Sequence, residues 1–217
     1  MAFPYVDREF YHGNQRLSIG QLTSATKVDN VVHGTGLVSV SAMEDQASTN
    51  NYPADDIPDH ATVSGSSLLE GSMVFMQLDE DVRTDFFGQE KTTNGFGFAS
   101  TGVFPKRIVQ YVTLGTKRDG SPLAMVTVYP NMSVTGKPTK ETETDSSDEP
   151  TAVQWTANVQ ASGSDFYLTP SGKKSAEFEY RFEGNNVAKV LEFIDGGGIL
   201  LPTTTLTGSS DTHSKAE

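Results

Sequence analysis

Apolar and polar residues alternate with a period of two along much of the chain. Such alternation is typical of antiparallel strands that bury one face and leave the other polar. It is clearest in VVHGTGLVSVSA, TAVQWTANVQA and AEFEYRFEG. These segments are therefore predicted to be strands. We expect burial of Val38, Val40, Trp155, Val159, Phe178, Tyr180 and Phe182, and an opposite face formed by Ser39, Ser41, Gln154 and Thr156.

Two apolar segments that flank a turn predict a hairpin. RIVQYVTLG and LAMVTVYP are separated by TKRDGSP, in which Asp119 and Gly120 favour a tight turn. Residues 107–130 are therefore predicted to form two antiparallel strands.

Two short segments have helical periodicity instead. LDEDVRTDFFG begins with Asp79 as a predicted N-cap and stops at Gly88. NNVAKVLEFIDGGG has an asparagine cap before it, a glycine run after it, and one apolar face made of Val187, Val190, Leu191 and Ile194. Strands dominate, so the predicted fold is mainly β, a β-sandwich or open barrel with one or two short helices packed on it.

Three segments lack a clear period. Residues 43–67 are predicted to form a long loop, and residues 135–150 a second polar loop. The segment 202–217 has few apolar residues and is predicted to be a flexible tail. We therefore expect a single domain over residues 1–201 followed by this tail.

Charge is segregated along the chain. The formal net charge is -12, and residues 41–60 and 141–160 each carry five acids and no base, together -10. Residues 101–140 carry six bases and one acid, a net +5. An acidic balance argues against binding to a nucleic-acid backbone. The segregation itself has two interpretations, solvated loops or self-complementary docking between copies.

Residues for chemistry are sparse. The chain has no cysteine, and its four histidines are not spaced as metal ligands. Asp55, Asp56, Asp59 and His60 could hold a hard cation, but they lack the spacing of a calcium-binding loop. We therefore assign no catalytic, cofactor-binding or metal-binding residue, although the number of carboxylates leaves an acid–base hydrolase open. The N-terminus lacks a signal-peptide pattern, and no apolar run reaches the length of a membrane span.

A resemblance gives these features a context. The block GLVSVSAMEDQASTNNYPADDIPDHATVSGSSLLEGSMVFMQLDEDVRTDFFGQEKTTNGFGF resembles the major tail proteins of long-tailed, non-contractile phages of lactic acid bacteria. The similarity continues in VQYVTLGTKRDG, VYPN, TKETETDS and QWTANVQAS, and spans 5–195. It implies a structural virion protein without enzymatic activity or cofactor.

The resemblance also implies partners. Proteins of this kind form hexameric rings that stack into the tail tube, with inner sheets that join around the ring into one barrel. The tube houses the tape-measure protein, ends at tail terminator and distal tail proteins, and conducts DNA without binding it specifically. Assembly is expected in the host cytoplasm, with no membrane insertion. An extra immunoglobulin-like C-terminal domain, present in some relatives, is not expected here.

In this family a long loop between two early strands reaches the neighbouring ring. Residues 43–60 lie between the strands predicted at 36–42 and 67–77 and match that loop. The predicted docking residues are Glu44, Asp45, Tyr52, Pro53, Asp55, Asp56 and Asp59, and the candidate basic counterpart is Lys106, Arg107, Lys117 and Arg118. Lining of the lumen is a second interpretation of the acidic loop.

Two alternative functions remain open at this point. One is a single-ring component at a tail end, such as a terminator or adaptor. The other is a soluble carbohydrate-binding or hydrolytic β-sandwich.

Overall fold

The computed structural model describes residues 9–47, 49–54, 57–64, 66–98, 104–142 and 152–206. Two helices are present in these ranges, α1 (Glu80–Asp85) and α2 (Asn185–Asp195). The strands are β1 (Glu9–Ser24), β2 (Lys27–Gly34), β3 (Leu37–Val40), β4 (Glu44–Asp45), β5 (Thr49–Ala54), β6 (Ile57–Ser64), β7 (Leu68–Phe75), β8 (Glu90–Thr92), β9 (Gly95–Gly97), β10 (Arg107–Lys117), β11 (Pro122–Val134), β12 (Thr139–Glu141), β13 (Gln154–Ser162) and β14 (Phe178–Glu183).

Ten of the strands form one antiparallel sheet. Its main path runs β2-β1-β10-β11-β13-β7-β3, while β12 pairs with β13, β14 with β11, and β4 with β7. The strand pairs β5–β6 and β8–β9 form two small sheets of their own. The prediction of a mainly β fold with short helices is confirmed, and the large sheet stays open rather than closing into a barrel.

The large sheet curls until its two ends nearly meet. Gly34 pairs with Leu17 on β1, whereas Leu37, only three residues later, pairs with Phe75 on β7. Asp79 fixes this crossing by accepting hydrogen bonds from the backbone N–H (2.6 Å) and the hydroxyl of Thr35. These bonds lower the pKa of Asp79 against the opposing effect of burial, which is the largest single influence on it.

Two hydrophobic clusters lie on the two sides of this sheet. The inner cluster fills the curl, where Phe75 and Val159 pack with Val82, Phe86 and residues of neighbouring strands around α1. The outer cluster forms where α2 covers β10, β11 and β14; its buried residues are Ile108, Val112, Ala124, Val126, Val128, Tyr167, Val187, Val190, Ile194, Ile199, Leu200 and Leu201. α2 covers only part of the outer side, and this leaves the β13–β7–β3 region for another role.

The strand predictions hold with two corrections. Val159 is buried, and Val40, Phe178, Tyr180 and Phe182 are half-buried against the two clusters. Val38 is 41% exposed because β3 has one extra residue at this point: Leu37 pairs with Phe75 and Ser39 with the adjacent Val74, so Val38 has no partner on β7. Such a bulge reverses the alternation, so Leu37 rather than Val38 packs inward. Trp155 is only half-buried, at the end of its strand.

The helix predictions are correct in position but not in detail. Asp79 has the backbone conformation of an N-cap, but its side chain binds Thr35 instead of the helix. The second helix is capped by Gly184, with φ of 55°, and Asn185 is already its first residue. The predicted hairpin over 107–130 is confirmed as β10 and β11, whose turn is closed by Ser121 bonds to Asp119.

The segments predicted as irregular are partly ordered. Between 43 and 67 the chain forms β4, β5 and β6, because β5 and β6 pair with each other from Thr49↔Ser64 to Ala54↔Ile57. Residues 135–142 contain β12, while 143–150 lie outside the described residues. At the C-terminus, packing continues to Leu206, which is half-buried against the outer cluster, and 207–217 lie outside the described residues.

The buried hydroxyl of Tyr167 gives a test of the outer cluster. It donates to the Leu200 carbonyl (2.8 Å) and contacts the Tyr180 hydroxyl (2.7 Å), and burial raises its pKa so that it stays protonated. Tyr167→Phe would leave the Leu200 carbonyl unpaired, and we expect a loss of about 1–3 kcal/mol in the free energy of unfolding. Denaturant unfolding measures it. Tyr180→Phe, at the half-buried end of the same pair, is the matched control and should cost less.

Candidate assembly surfaces

The uncovered outer side of the sheet carries hydroxyl, amide and carboxylate groups. Paired residues on neighbouring strands share one face, so the register identifies its members. Thr156 pairs with Val74, and Asn158 pairs with Ser72. These residues alternate along their strands with the residues that fill the inner cluster, so they lie on the other face of the sheet. We call this surface the polar face: Ser39, Glu44, Leu68, Glu70, Ser72, Val74, Asn131, Ser133, Thr139, Glu141, Gln154, Thr156, Asn158, Gln160 and Ser162.

Side chains of the polar face bond to one another across the strands. The Asn131 amide donates to the Ser162 hydroxyl at 2.8 Å, and the Gln160 amide donates to the Ser133 hydroxyl at 3.4 Å. Only Leu68 and Val74 among its members are apolar. The predicted positions of Ser39, Gln154 and Thr156 opposite the core side chains are therefore confirmed, and these residues belong to a continuous surface.

The charge of the polar face has one sign. Its charged members are Glu44, Glu70 and Glu141, and none of the face residues defined above is lysine or arginine. Glu44 lies directly opposite Glu70, an arrangement that disfavours folding because like charges repel. Such a surface offers no cation to a phosphate and repels polyanions. The sequence prediction missed the face as a unit because its members come from strands far apart in the chain.

The acidic segment divides into a base and an arm. At the base, Asp45 accepts hydrogen bonds from the backbone N–H of Ala47 (2.9 Å), the Ser67 hydroxyl (3.0 Å) and the backbone N–H of Leu68 (3.2 Å). These bonds, first that from Ala47, lower the pKa of Asp45. Asp45 therefore holds the base together, and Glu44 belongs to the polar face; docking through these two residues stays a prediction.

The arm is the β5–β6 hairpin, which we call the acidic arm. Tyr52 and Pro53 lie in β5 and Asp59 lies in β6, while Asp55 and Asp56 fall outside the described residues. The hairpin pairs within itself as a two-stranded sheet separate from the large one. Isolated two-stranded hairpins are at best marginally stable in water. A hairpin of this kind is therefore suited to pack on another chain.

The candidate basic residues are not brought together. Arg107 begins β10 and Lys117 ends it, so about 33 Å of strand separates them. Lys117 forms an ion pair with Glu183, which also binds Arg181 at 2.6 Å. Lys106 and Arg107 line a groove of about 300 Å³ together with Asp165 and Phe166. The four residues therefore lie in two separate places on the subunit, and their pairing with the arm stays a prediction.

A different cationic cluster was missed by the sequence prediction. The guanidinium of Arg83 lies 5.2 Å from the Phe96 ring and 6.0 Å from the Trp155 ring, and the Lys140 ammonium lies 5.7 Å from Trp155. The Lys137 ammonium lies 5.6 Å from the Phe98 ring. We call Arg83, Phe96, Phe98, Lys137, Lys140 and Trp155 the basic–aromatic cluster. Arg83 belongs to α1 rather than to the basic segment, so no pattern in the sequence indicates that these residues lie close together.

The groups that resemble an enzyme site do not form one. A cavity of about 420 Å³ is lined by His33, Arg16 and Asp195, among others. The His33 ring contacts the Ser18 hydroxyl at 3.1 Å, but Ser18 is fully buried and Asp195 is bound by Arg16 at 2.7 Å. The geometry is therefore not that of a serine nucleophile accessible to a substrate.

The described part of the chain contains neither a metal-ligand cluster nor a membrane-spanning helix. No group of three potential metal ligands occurs there, and the hypothetical site at Asp55, Asp56, Asp59 and His60 falls largely outside it. None of the helices described is long and apolar enough to cross a membrane.

Comparison with known proteins identifies the family to which these surfaces belong. Residues 1–208 match a family model described as phage tail tube protein. Proteins named tail tube protein from Lactococcus phages F4-1, SK1 and p2 are each 41% identical to the chain over 219 residues, covering 96% of this chain and 72% of each relative. The resemblance seen in the sequence is thereby confirmed.

Proposed function

This chain belongs to the phage tail tube protein family and is a structural component of the virion tail, and we propose that it assembles as stacked hexameric rings around a channel for DNA. The observation that carries the proposal is the polar face, an extended sheet surface without cations whose other side packs a core. Such a surface lets a polyanion pass because it neither binds phosphates nor exposes broad apolar area.

The polar face lines the lumen in this proposal. The group of strands that carries the polar face has two edges. Strands β3 and β4 form one edge and β12 forms the other, and the backbone groups of these edges are free to pair in the described sheet. Edge strands are templates for further pairing, and closure around a ring removes the edges. Copies joined edge to edge would form one continuous barrel, which houses the tape-measure protein before the genome passes.

The acidic arm links successive rings. A contact between unlike surfaces of identical copies is heterologous, and such contacts build open stacks. The arm is suited to this role because it leaves the large sheet and pairs only within itself in the described strand pairings. Tail terminator and distal tail proteins would bind the two ends of the stack, and assembly would take place in the host cytoplasm. No step requires a catalytic residue or a cofactor.

Negative-stain microscopy of the purified protein tests this proposal. We expect long tubes with a hollow bore and a sixfold end view. A component of a tail end, such as a terminator or adaptor, would give single rings that do not stack. A soluble carbohydrate-binding or hydrolytic protein would give neither, and either result would contradict the proposal.

A further inference from the structure

One asparagine of the sequence is followed directly by glycine, and it lies at the tip of the β8–β9 hairpin. Thr92 pairs with Gly95, so Thr93 and Asn94 form a two-residue turn between the strands. The Asn94 side chain is exposed. A Cβ atom placed on Gly95 would find the Thr92 hydroxyl as its nearest neighbour, at 3.8 Å. The backbone nitrogen of Gly95 therefore has open space around it and no side chain of its own to shield it.

The chemistry open to this pair of residues is an intramolecular attack. The backbone nitrogen of Gly95 loses its proton to water and attacks the Asn94 Cγ atom, and the side-chain amide nitrogen leaves as ammonia. The product is a cyclic succinimide, which one water molecule opens at either of its two carbonyl groups. Opening gives aspartate, or isoaspartate, in which the main chain runs through the side-chain carbonyl. Each product carries one new carboxylate, and no atom is oxidised or reduced.

The closed hairpin holds this reaction back, but the hairpin is weak. Ring closure requires the main chain to rotate at Asn94, and the pairs on both sides of the turn prevent that rotation. The ladder has only the pairs Glu90↔Gly97, Lys91↔Phe96 and Thr92↔Gly95, and it stands apart from the large sheet. Neither turn residue has a positive φ, so the turn is not one of the types whose twist matches the strands. Such a short hairpin opens readily.

Two contacts with α1 keep the hairpin closed. The Lys91 ammonium lies 2.5 Å from a Glu80 carboxylate oxygen, and the guanidinium of Arg83 lies 5.2 Å from the Phe96 ring. Lys91 and Phe96 are directly opposite in the ladder, so both contacts act on one face of the hairpin. Arg83 is itself held in place because it donates to the Leu78 carbonyl at 3.0 Å. The opening of the turn is therefore limited by contacts that lie outside it.

We propose that Asn94 is a self-modification site whose rate is set by opening of the β8–β9 hairpin, and that isoaspartate at this position keeps the hairpin open. Isoaspartate adds one methylene to the main chain of a two-residue turn, so the strands on either side cannot return to their register. Phe96 then loses its place beside the Arg83 guanidinium. A virion outside a cell cannot replace its subunits, so the modified form accumulates with the age of the particle.

Peptide mass spectrometry of the folded protein, incubated in mildly alkaline buffer, tests the site. We expect the peptide that contains Asn94 to gain about one mass unit and to separate into aspartate and isoaspartate forms. The other asparagines should react far more slowly, because the residue that follows each of them has a side chain. Gly95→Ala is the matched control and should slow the reaction by about tenfold or more. Folded protein that keeps Asn94 unmodified while unfolded protein converts would overturn the inference.

The control exerted by the hairpin is tested away from the reacting atoms. Lys91→Ala removes one contact with α1, and we expect Asn94 to react about two- to fivefold faster, since an exposed ion pair shifts the opening equilibrium by a small factor. Lys27→Ala is the matched control, because Lys27 is also exposed and pairs with Asp29 at 2.7 Å, but on β2. It should react at the wild-type rate. Phe96→Leu replaces the first variant if circular dichroism shows that Lys91→Ala is unfolded.

Hydrogen exchange shows what the modification does to the hairpin. The backbone amides of residues 90–97 should exchange faster in Lys91→Ala than in fresh wild type, and they should exchange fast in aged protein that carries isoaspartate. Equal rates of Asn94 conversion in wild type, Lys91→Ala and urea-unfolded protein would overturn control by the hairpin. Isoaspartate-containing protein whose hairpin amides exchange as slowly as in fresh protein would overturn the second half of the inference.

Discussion

Asp55→Lys with Asp56→Lys is expected to leave folded subunits that no longer build long tubes. An exposed ion pair contributes at most about 1 kcal/mol, but a hexameric ring repeats each contact six times. One lost pair per subunit then weakens ring stacking by about 6 kcal/mol, more than four orders of magnitude in the association constant. Microscopy of tube length over a salt series measures the effect. Salt should shorten wild-type tubes as well, since the Debye length is about 8 Å at physiological ionic strength.

Two comparisons make this result specific. Asp55→Ala with Asp56→Ala should change the free energy of unfolding by no more than about 0.5 kcal/mol, because surface substitutions seldom do more. A large loss of stability that a divalent cation restores would point to a metal site instead. If the lysine variant stacks like wild type at low salt, the arm docks through apolar residues such as Tyr52, Pro53 and Ile57.

The sequence was sufficient for those parts of the fold that depend on local pattern. Alternation and turn residues predicted β10 and β11 with their hairpin, and the 3.6-residue period predicted both helices. Val38 was missed because a bulge depends on the partner strand, which the period of one strand does not reveal. The acidic arm was taken for a loop because its strands carry proline and asparagine, which are depleted in strands.

The surfaces were less predictable than the elements. The docking segment was predicted from its charge and from the resemblance, but its division into a base held by Asp45 and a separately paired hairpin depends on the bonds to Ser67 and Leu68 and on the β5–β6 pairing. The polar face and the basic–aromatic cluster both depend on pairings between residues far apart in sequence, such as Trp155 with Phe75. Sequence distance hides such juxtapositions even where each residue type is visible.

The largest effect on infection is expected from lysines on the polar face. Asn158 is exposed and Gln160 half-buried on β13, and their neighbours across the strands are Ser72 and Glu70. Asn158→Lys with Gln160→Lys should be tolerated by folding and assembly, because lysines on an open polar surface cost little. In a hexamer, two lysines per subunit add twelve positive charges to each ring of the lumen. DNA would then meet phosphate-binding groups along the whole tube.

Phage that carry these substitutions should have tails of normal length and fail to deliver their genome. We expect the rate of DNA release from purified particles and the plaque titre to fall by about tenfold or more, with partial recovery at high salt, because phosphate contacts weaken steeply as salt rises. The matched control is Asn185→Lys with Ala188→Lys, which adds the same charge at exposed positions of α2. The control should release DNA normally. If both variants assemble and release DNA at the wild-type rate, the polar face does not line the channel, and the surface of the sheet that faces the DNA must be sought elsewhere on the subunit.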